Sequence, residues 1–214
     1  MGVTASTAAV VGASIVVGLL GLLTTVLLRV ETPPLNCRLA CACGLVQGAV
    51  AAASSLHIVC YCDDCQALAA TLQQKYPSMA SYVNAQGGTH VAAVFPSDVR
   101  ITTGLEKLVL GKMKPRTGTR RVYASCCGTP FFNAVKAAIP FLGLLPPAIV
   151  AADDKSFSAP QFQIWTKYAT GPVADGTTTM PLGLKLKMLT RFLWNASKAR
   201  PHPIDVHQPA TLLV

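Results

Sequence analysis

Hydrophobic positions follow several distinct patterns along the chain. From Val10 to Leu28 every residue is apolar or small, and no charge occurs anywhere from Met1 to Leu28. About 20 such residues let a helix cross a hydrocarbon core, so the pattern predicts an N-terminal transmembrane anchor over residues 1–30. The run is long for the apolar part of a signal peptide, and no basic residue precedes it. Thr32-Pro33-Pro34 ends the anchor, because proline cannot continue a helix. Short β-prone runs follow at His57–Val59, Val91–Phe95, Val99–Thr103 and Arg120–Ala124, with Gly87-Gly88 as a turn. Between them, Cys65–Tyr76 sets Leu68, Leu72 and Tyr76 on one face of a helix. Ala134–Ala152 is apolar but is interrupted by Lys136, Pro140, Pro146 and Pro147, which predicts buried loop and short helix. Leu182–Lys198 predicts an amphipathic helix with Leu182, Leu186, Leu189, Phe192 and Leu193 on its apolar side and Lys185, Lys187, Arg191 and Lys198 as its cations. The segment from Pro201 onward predicts no regular structure. Three regions result: an anchor over 1–30, a domain over 31–180, and a basic helix with an extended tail over 181–214.

Charge adds an orientation. The 214-residue chain carries a formal net charge of +9, and its first charged residues, Arg29, Glu31 and Arg38, follow the apolar run. The positive-inside tendency then puts the domain on the cytoplasmic or matrix side, with the mitochondrial inner membrane favoured. Membrane lipids and other subunits of a membrane complex are the expected partners. The basic helix suits an anionic membrane surface, or packing on its own domain with a solvated basic face. A nucleic-acid groove is not indicated, because the cations are dispersed except at Lys112–Arg121.

All eight cysteines fall into three short clusters: Cys37, Cys41 and Cys43; then Cys60, Cys62 and Cys65; then Cys126 and Cys127. Residues two apart in an extended segment point to one side, so Cys41/Cys43 and Cys60/Cys62 can each present two sulfurs to one ion. Cys62 and Cys65 do the same around a turn. Such spacing suits chelation better than disulfides, and it predicts zinc, one ion or two. Metal-binding thiolates also agree with a reducing compartment.

The order of these clusters resembles the glutathione-dependent formaldehyde-activating enzyme family, which includes centromere protein V. That family shows Cys-x-Cys-Gly, then Cys-x-Cys-x-x-Cys, then Cys-x-x-Cys-Gly. Here the elements are Cys41-Ala42-Cys43-Gly44, Cys60-Tyr61-Cys62-Asp63-Asp64-Cys65, and Ala124-Ser125-Cys126-Cys127-Gly128. The resemblance spans roughly Asn36 to Gly143. It implies a mainly β, zinc-binding β-tent with a few short helices. It also implies a structural zinc on the first and third clusters and an activity-linked zinc on Cys60, Cys62 and Cys65, with an open position for the sulfur of glutathione. The third motif departs from the pattern, because its first cysteine falls on Ala124. Cys126 can substitute beside Cys127 only if Gly128 lets the chain turn sharply, and Cys37 is a further candidate. His57, three residues before the second cluster, is a candidate proton shuttle, although a lone histidine in a strand is more often structural. Arg100, Arg120 and Arg121 are candidates to meet glutathione carboxylates.

Two functions follow. The anchor and the altered third motif favour an accessory subunit of a membrane complex without enzymatic activity. The intact second cluster supports the alternative, a membrane-tethered carbon–sulfur lyase of the S-(hydroxymethyl)glutathione synthase type.

Overall fold

The computed structural model describes residues 14, 17–19, 21, 32–135, 139–152 and 159–213. Strand β1 (Leu35–Ala40) alternates buried and exposed residues, with Leu35, Cys37 and Leu39 turned inward. It pairs with β2 (Gln47–Ala52) on one side and β10 (Ile149–Ala152) on the other, and β2 pairs with β5 (Val99–Thr103). These four strands form one antiparallel sheet in the order β10-β1-β2-β5. The second sheet runs β11-β3-β4-β9-β8-β7-β6-β12. Its members are β3 (Leu56–Cys60), β4 (Thr89–Val94), β6 (Leu108–Lys112), β7 (Thr119–Ala124), β8 (Pro130–Val135), β9 (Leu142–Leu144), β11 (Phe162–Ile164) and β12 (Thr211–Leu212). The edge strands β11 and β12 join in parallel, the rest antiparallel.

The pleat divides the larger sheet into two faces. One face supplies Val94, Val122, Phe132, Leu142 and Leu144, which pack on Leu35, Leu39 and Val50 of the smaller sheet. Each such side chain contributes roughly 1.5–3 kcal/mol by leaving water. The other face is covered by two helices. Helix α1 (Asp63–Lys75) lays Leu68 and Leu72 on Val91, Tyr123 and Leu145. Helix α2 (Leu182–Trp194) lays Leu184 on Leu56, Ile58 and Ala93. The predicted helix at Cys65–Tyr76 and the predicted strands are therefore present, with shifted ends.

Three expectations change, besides the two-residue strand β12, which pairs with β6 inside the tail from Pro201 expected to lack regular structure. The predicted anchor does not stand: among the described residues no helix is long and apolar enough to cross a membrane. Spanning needs about 20 continuous helical residues, whereas only positions 14, 17–19 and 21 of the stretch are described as helical. The rest of Val10–Leu28 lies outside the described residues. The single-pass localisation and its mitochondrial inner-membrane address depended on that anchor and fall with it. The fold is mainly β with short helices.

The second change lies in Ala134–Ala152. Its prolines break it into short strands, β9 and β10, on either side of a 3-10 turn at Pro146–Ala148, rather than loop and helix.

The third is the orientation of α2. Leu182, Leu189 and Leu193 face solvent, while Arg191 is buried. The Arg191 guanidinium donates to Ser54 Oγ at 2.9 Å and to the Ser54 carbonyl at 2.6 Å, and it stacks 4.2 Å from the Phe95 ring centroid. A long side chain with a planar charged end is satisfied by this pocket, so the helix turns its cation inward.

Candidate metal centres

The first centre is built by two tight turns. The β1–β2 connection closes with Cys41 N–H donating to the Val46 carbonyl (3.0 Å) and Gly44 N–H to the Cys41 carbonyl (2.9 Å). The β7–β8 connection closes with Gly128 N–H donating to the Ala124 carbonyl (2.8 Å). Gly128 sits at φ +77°, where a side chain is strained, and a Cβ there would strike the Tyr76 ring. This is the sharp turn that Cys126 requires. Ala42 N–H donates to Thr129 Oγ1 at 2.9 Å and knits the two loops together.

The Sγ atoms of Cys41, Cys43, Cys126 and Cys127 consequently lie within 4.8 Å of one another. Individual separations are 3.4 Å (Cys41–Cys43), 3.2 Å (Cys43–Cys126), and 3.9 Å for both Cys41–Cys126 and Cys126–Cys127. Sulfurs on a tetrahedral zinc with Zn–S near 2.3 Å stand about 3.8 Å apart, so four thiols at these spacings fit such an ion. Val46 N–H donates to Cys41 Sγ at 3.2 Å, and Cys127 Sγ lies 3.1 Å from Thr129 Oγ1. Burial raises the Cys127 thiol, but hydrogen bonds from Thr129 and the Cys43 backbone outweigh it and bring the thiol down to about 6. Cys37 is not part of this centre. It stays in the core between the sheets, where burial pushes its thiol up to about 11.

The second centre joins a strand end to a helix start. Cys60 is the last residue of β3, Cys62 precedes the first turn of α1, and Cys65 lies within that turn. Their sulfurs also lie within 4.8 Å of one another. Two backbone amides, Cys65 and Gln66, donate to the Cys62 carbonyl and fix the turn. The positive end of the helix dipole favours thiolates here. The Cys62 thiol is held far below the usual thiol range by S–H bonds from Cys60 and then Cys65, with the Arg121 charge adding to them. The bonds of Cys60 to Cys62 and then to Cys65, together with burial, push its own thiol up.

Arg121 reaches this centre from β7, with Nη1 3.8 Å from Cys65 Sγ. The other candidate arginines do not. Arg120 points to the opposite face of the sheet and donates to the Thr117 carbonyl, and Arg100 is exposed on β5 of the smaller sheet. His57 also lies on the face of β3 opposite Cys60. Its Nε2 is 2.9 Å from Ser55 Oγ, its ring meets His90 edge-on at 5.5 Å, and burial lowers its pKa. The structure therefore does not bring His57 to the sulfurs.

Helix α1 connects the two centres. It starts at Cys62, and at its far end the Tyr76 hydroxyl donates to the Ser125 carbonyl (3.1 Å) in the turn that carries Cys126. Both clusters can thus hold a metal ion, with four and three sulfurs respectively.

The chain belongs to a family of unknown function, DUF6151. That family's model matches residues 35–209, a span that contains both centres and both helices. No curated protein matches the chain.

Other residues of the second centre were not visible in the sequence pattern. Thr89 pairs with Cys60 across β3–β4, and Asn133 pairs with Arg121 across β7–β8, so the pleat puts all four side chains on the face under α1. Pairing across the sheet brings them together, and no short motif announces it.

Proposed function

We propose that this protein is a zinc protein with two unlike sites. Cys41, Cys43, Cys126 and Cys127 hold a structural ion, and Cys60, Cys62 and Cys65 hold a second ion with one position left for a small thiol. We further propose that it acts on the carbon–sulfur adduct of glutathione and formaldehyde, as the resemblance of its three motifs to the glutathione-dependent formaldehyde-activating enzymes implies. The observation that carries this is the division of sulfurs. Structural zinc sites are closed by four protein ligands, whereas reactive ones keep three and an open position. The fourth sulfur missing at Ala124 is replaced by Cys126, which removes one ground for regarding the scaffold as degenerate.

Zinc, when bound, would lower the pKa of a coordinated thiol so that it reacts as thiolate at neutral pH. In the forward step the thiol loses its proton, its sulfur pair forms the C–S bond to formaldehyde, and the C=O π pair moves to oxygen, which takes up a proton. Arg121 and the N-terminus of α1 face the anionic sulfur and stabilise it.

An accessory role in a larger assembly is the alternative. It is favoured by the outward side of α2, where Leu182 and Leu193 are each 69% exposed and Trp194 is 79% exposed.

The test is metal content together with adduct formation on the full-length chain. Two zinc ions per chain are expected in the wild type and one in Cys62→Ala. Glutathione and isotope-labelled formaldehyde followed by NMR should show saturable acceleration of adduct formation that Cys62→Ala abolishes. Two zincs without acceleration would overturn the reaction and favour the accessory role.

A further inference from the structure

The altered third motif puts a sulfur in solvent. A cysteine at Ala124, where the Cys-x-x-Cys spacing would set it, would end β7 in the core, since Ala124 is 0% exposed. Cys126 stands two residues further on, inside the β7–β8 turn, and is exposed. Cys43, in the β1–β2 turn, is exposed as well. A Cβ on the neighbouring Gly44 would meet nothing within 4 Å, so that side of the turn is open. The other two sulfurs of the centre are withdrawn, Cys41 being buried and Cys127 half-buried. The two exposed sulfurs come from different loops yet lie 3.2 Å apart. That is closer than Cys41 to Cys43 (3.4 Å), or than Cys126 to Cys41 or to Cys127 (both 3.9 Å).

Both turns are also held by bonds that involve no sulfur. Ala42 N–H donates to Thr129 Oγ1 at 2.9 Å. Ser125 donates to the Lys107 carbonyl through its N–H (2.8 Å) and its hydroxyl (3.0 Å), and its own carbonyl accepts from the Tyr76 hydroxyl (3.1 Å). These bonds keep the two sulfurs adjacent without help from a metal. Oxidation of a cysteine follows its thiolate character and its exposure, and a second sulfur within reach diverts the product to a disulfide instead of an irreversible acid. A sulfur that ligates a divalent ion is held as thiolate. Cys43 and Cys126 meet all three conditions. At the second centre Cys60 and Cys62 are half-buried and Cys65 is buried, so an oxidant reaches them later.

We propose that Cys43 and Cys126 form an oxidation site for hydrogen peroxide, whose product is a disulfide joining the β1–β2 and β7–β8 turns and whose consequence is loss of the ion from the four-sulfur centre. The Cys43 sulfur pair attacks one peroxide oxygen, the O–O bond breaks, and hydroxide leaves, which solvent protonates to water. The Cys126 sulfur pair then attacks the Cys43 sulfenic sulfur, the S–S bond forms, and the S–O bond breaks to expel a second hydroxide, likewise protonated. The two sulfurs together give up two electrons, and the peroxide takes them. With two of its four sulfurs tied to each other the centre no longer closes on an ion, and the disulfide holds the turns in its place. This rests on the structural ion assigned to these four cysteines above.

The experiment treats the full-length, zinc-loaded chain with a single equivalent of hydrogen peroxide. A chelating dye reads released zinc, and blocking of free thiols followed by mass spectrometry of peptides digested without reductant reads the pairing. About one zinc ion per chain should be released, with Cys43 linked to Cys126 as the main disulfide. A dithiol reductant with added zinc should restore both ions. Cys62→Ala, whose ion sits on the four sulfurs alone, should release it within about twofold of the wild-type rate and form the same bond. After a chelator has stripped all metal from both, the oxidised wild type should unfold at a higher denaturant midpoint than the reduced one, because the bond closes a loop of over 80 residues. A main disulfide elsewhere overturns the site, whether Cys41–Cys43, Cys126–Cys127 or within the second centre. So does oxidation to unlinked acids, or no zinc release from Cys62→Ala at about tenfold excess peroxide. If Cys62→Ala holds no ion before peroxide is added, the metal assignment falls. A Cys43–Cys126 bond that forms nonetheless keeps the oxidation site, and its absence removes both.

Discussion

The two cysteine centres use the same ligand type in opposite surroundings. The four-sulfur centre is made by loops, with Cys43 and Cys126 exposed, and its neighbouring polar groups are satisfied: Ala42 N–H by Thr129, Val46 N–H by Cys41. The three-sulfur centre lies at a strand end under a helix, with Cys65 buried, a guanidinium beside it, and polar atoms left over. Satisfied surroundings mark a site that is finished by folding. Unsatisfied ones mark a site that something else completes. The contrast also separates two meanings of a cysteine motif, since spacing alone treats both clusters as chelators.

The sharpest way to break this contrast is to remove one sulfur from each. Cys41→Ser opens the centre that ties β1–β2 to β7–β8. Metal binding at such a site is folding free energy, so a loss of several kcal/mol is expected. Cys62→Ser should release the other metal with a much smaller loss, because β3 and α1 remain packed through Leu56, Ile58, Leu68 and Leu72. Denaturant titration with metal analysis decides between them, and equal destabilisation by both would erase the distinction.

Gly128→Ala tests the same point through the backbone. The residue has φ +77°, and the added methyl meets the Tyr76 ring. A cost of about 2 kcal/mol or more is expected, with metal lost from the four-sulfur centre and retained at the other. If the variant keeps two metals and full stability, the turn is not what places Cys126.

These variants also show how far the sequence could be read. Cys60, Cys62 and Cys65 were legible because a strand end and one helical turn bring them together locally. Cys126 was legible only as a condition on Gly128, since its partner sulfurs are over 80 residues away. Arg121, Thr89 and Asn133 were not singled out as one group. Sheet register assembles them from β4, β7 and β8, and the apolar run Ala134–Ala152 takes in only the last two residues of β8, leaving Asn133 outside any predicted element. Helix α1 followed its Leu68–Leu72–Tyr76 spacing. Helix α2 did not follow all its leucines, because the Ser54–Phe95 pocket accepts Arg191 and turns Leu182, Leu189 and Leu193 outward, while Phe192 still packs on Phe141. Hydrophobic spacing locates a helix reliably but assigns its inner face only when the opposite side offers no buried partner.

The smallest expected effect concerns acid. The reverse side of the strands that carry Cys60 and Thr89 holds His57 and His90, whereas no histidine lies within the loops of the four-sulfur centre. Burial lowers both imidazoles, and His90 is brought to about 4 by burial and then by His57. The folded state thus prefers the neutral ring, while the unfolded chain takes up a proton near 6.5. Between those values the unfolded state binds more protons, so stability is full above about 6.5 and declines as pH falls toward 4. Discounting for partial exposure, the share of this loss that His90 contributes from pH 7 to 5 is about 1–2 kcal/mol. Thiolate protonation also destabilises the metal-bound protein in acid, so the wild type alone does not isolate the histidines. The difference between wild type and His90→Gln does: the variant should be less pH-sensitive by that amount. Denaturant midpoints at the two pH values check it, and identical slopes in both proteins would show that the imidazole pair does not couple the strands of the three-sulfur centre to pH.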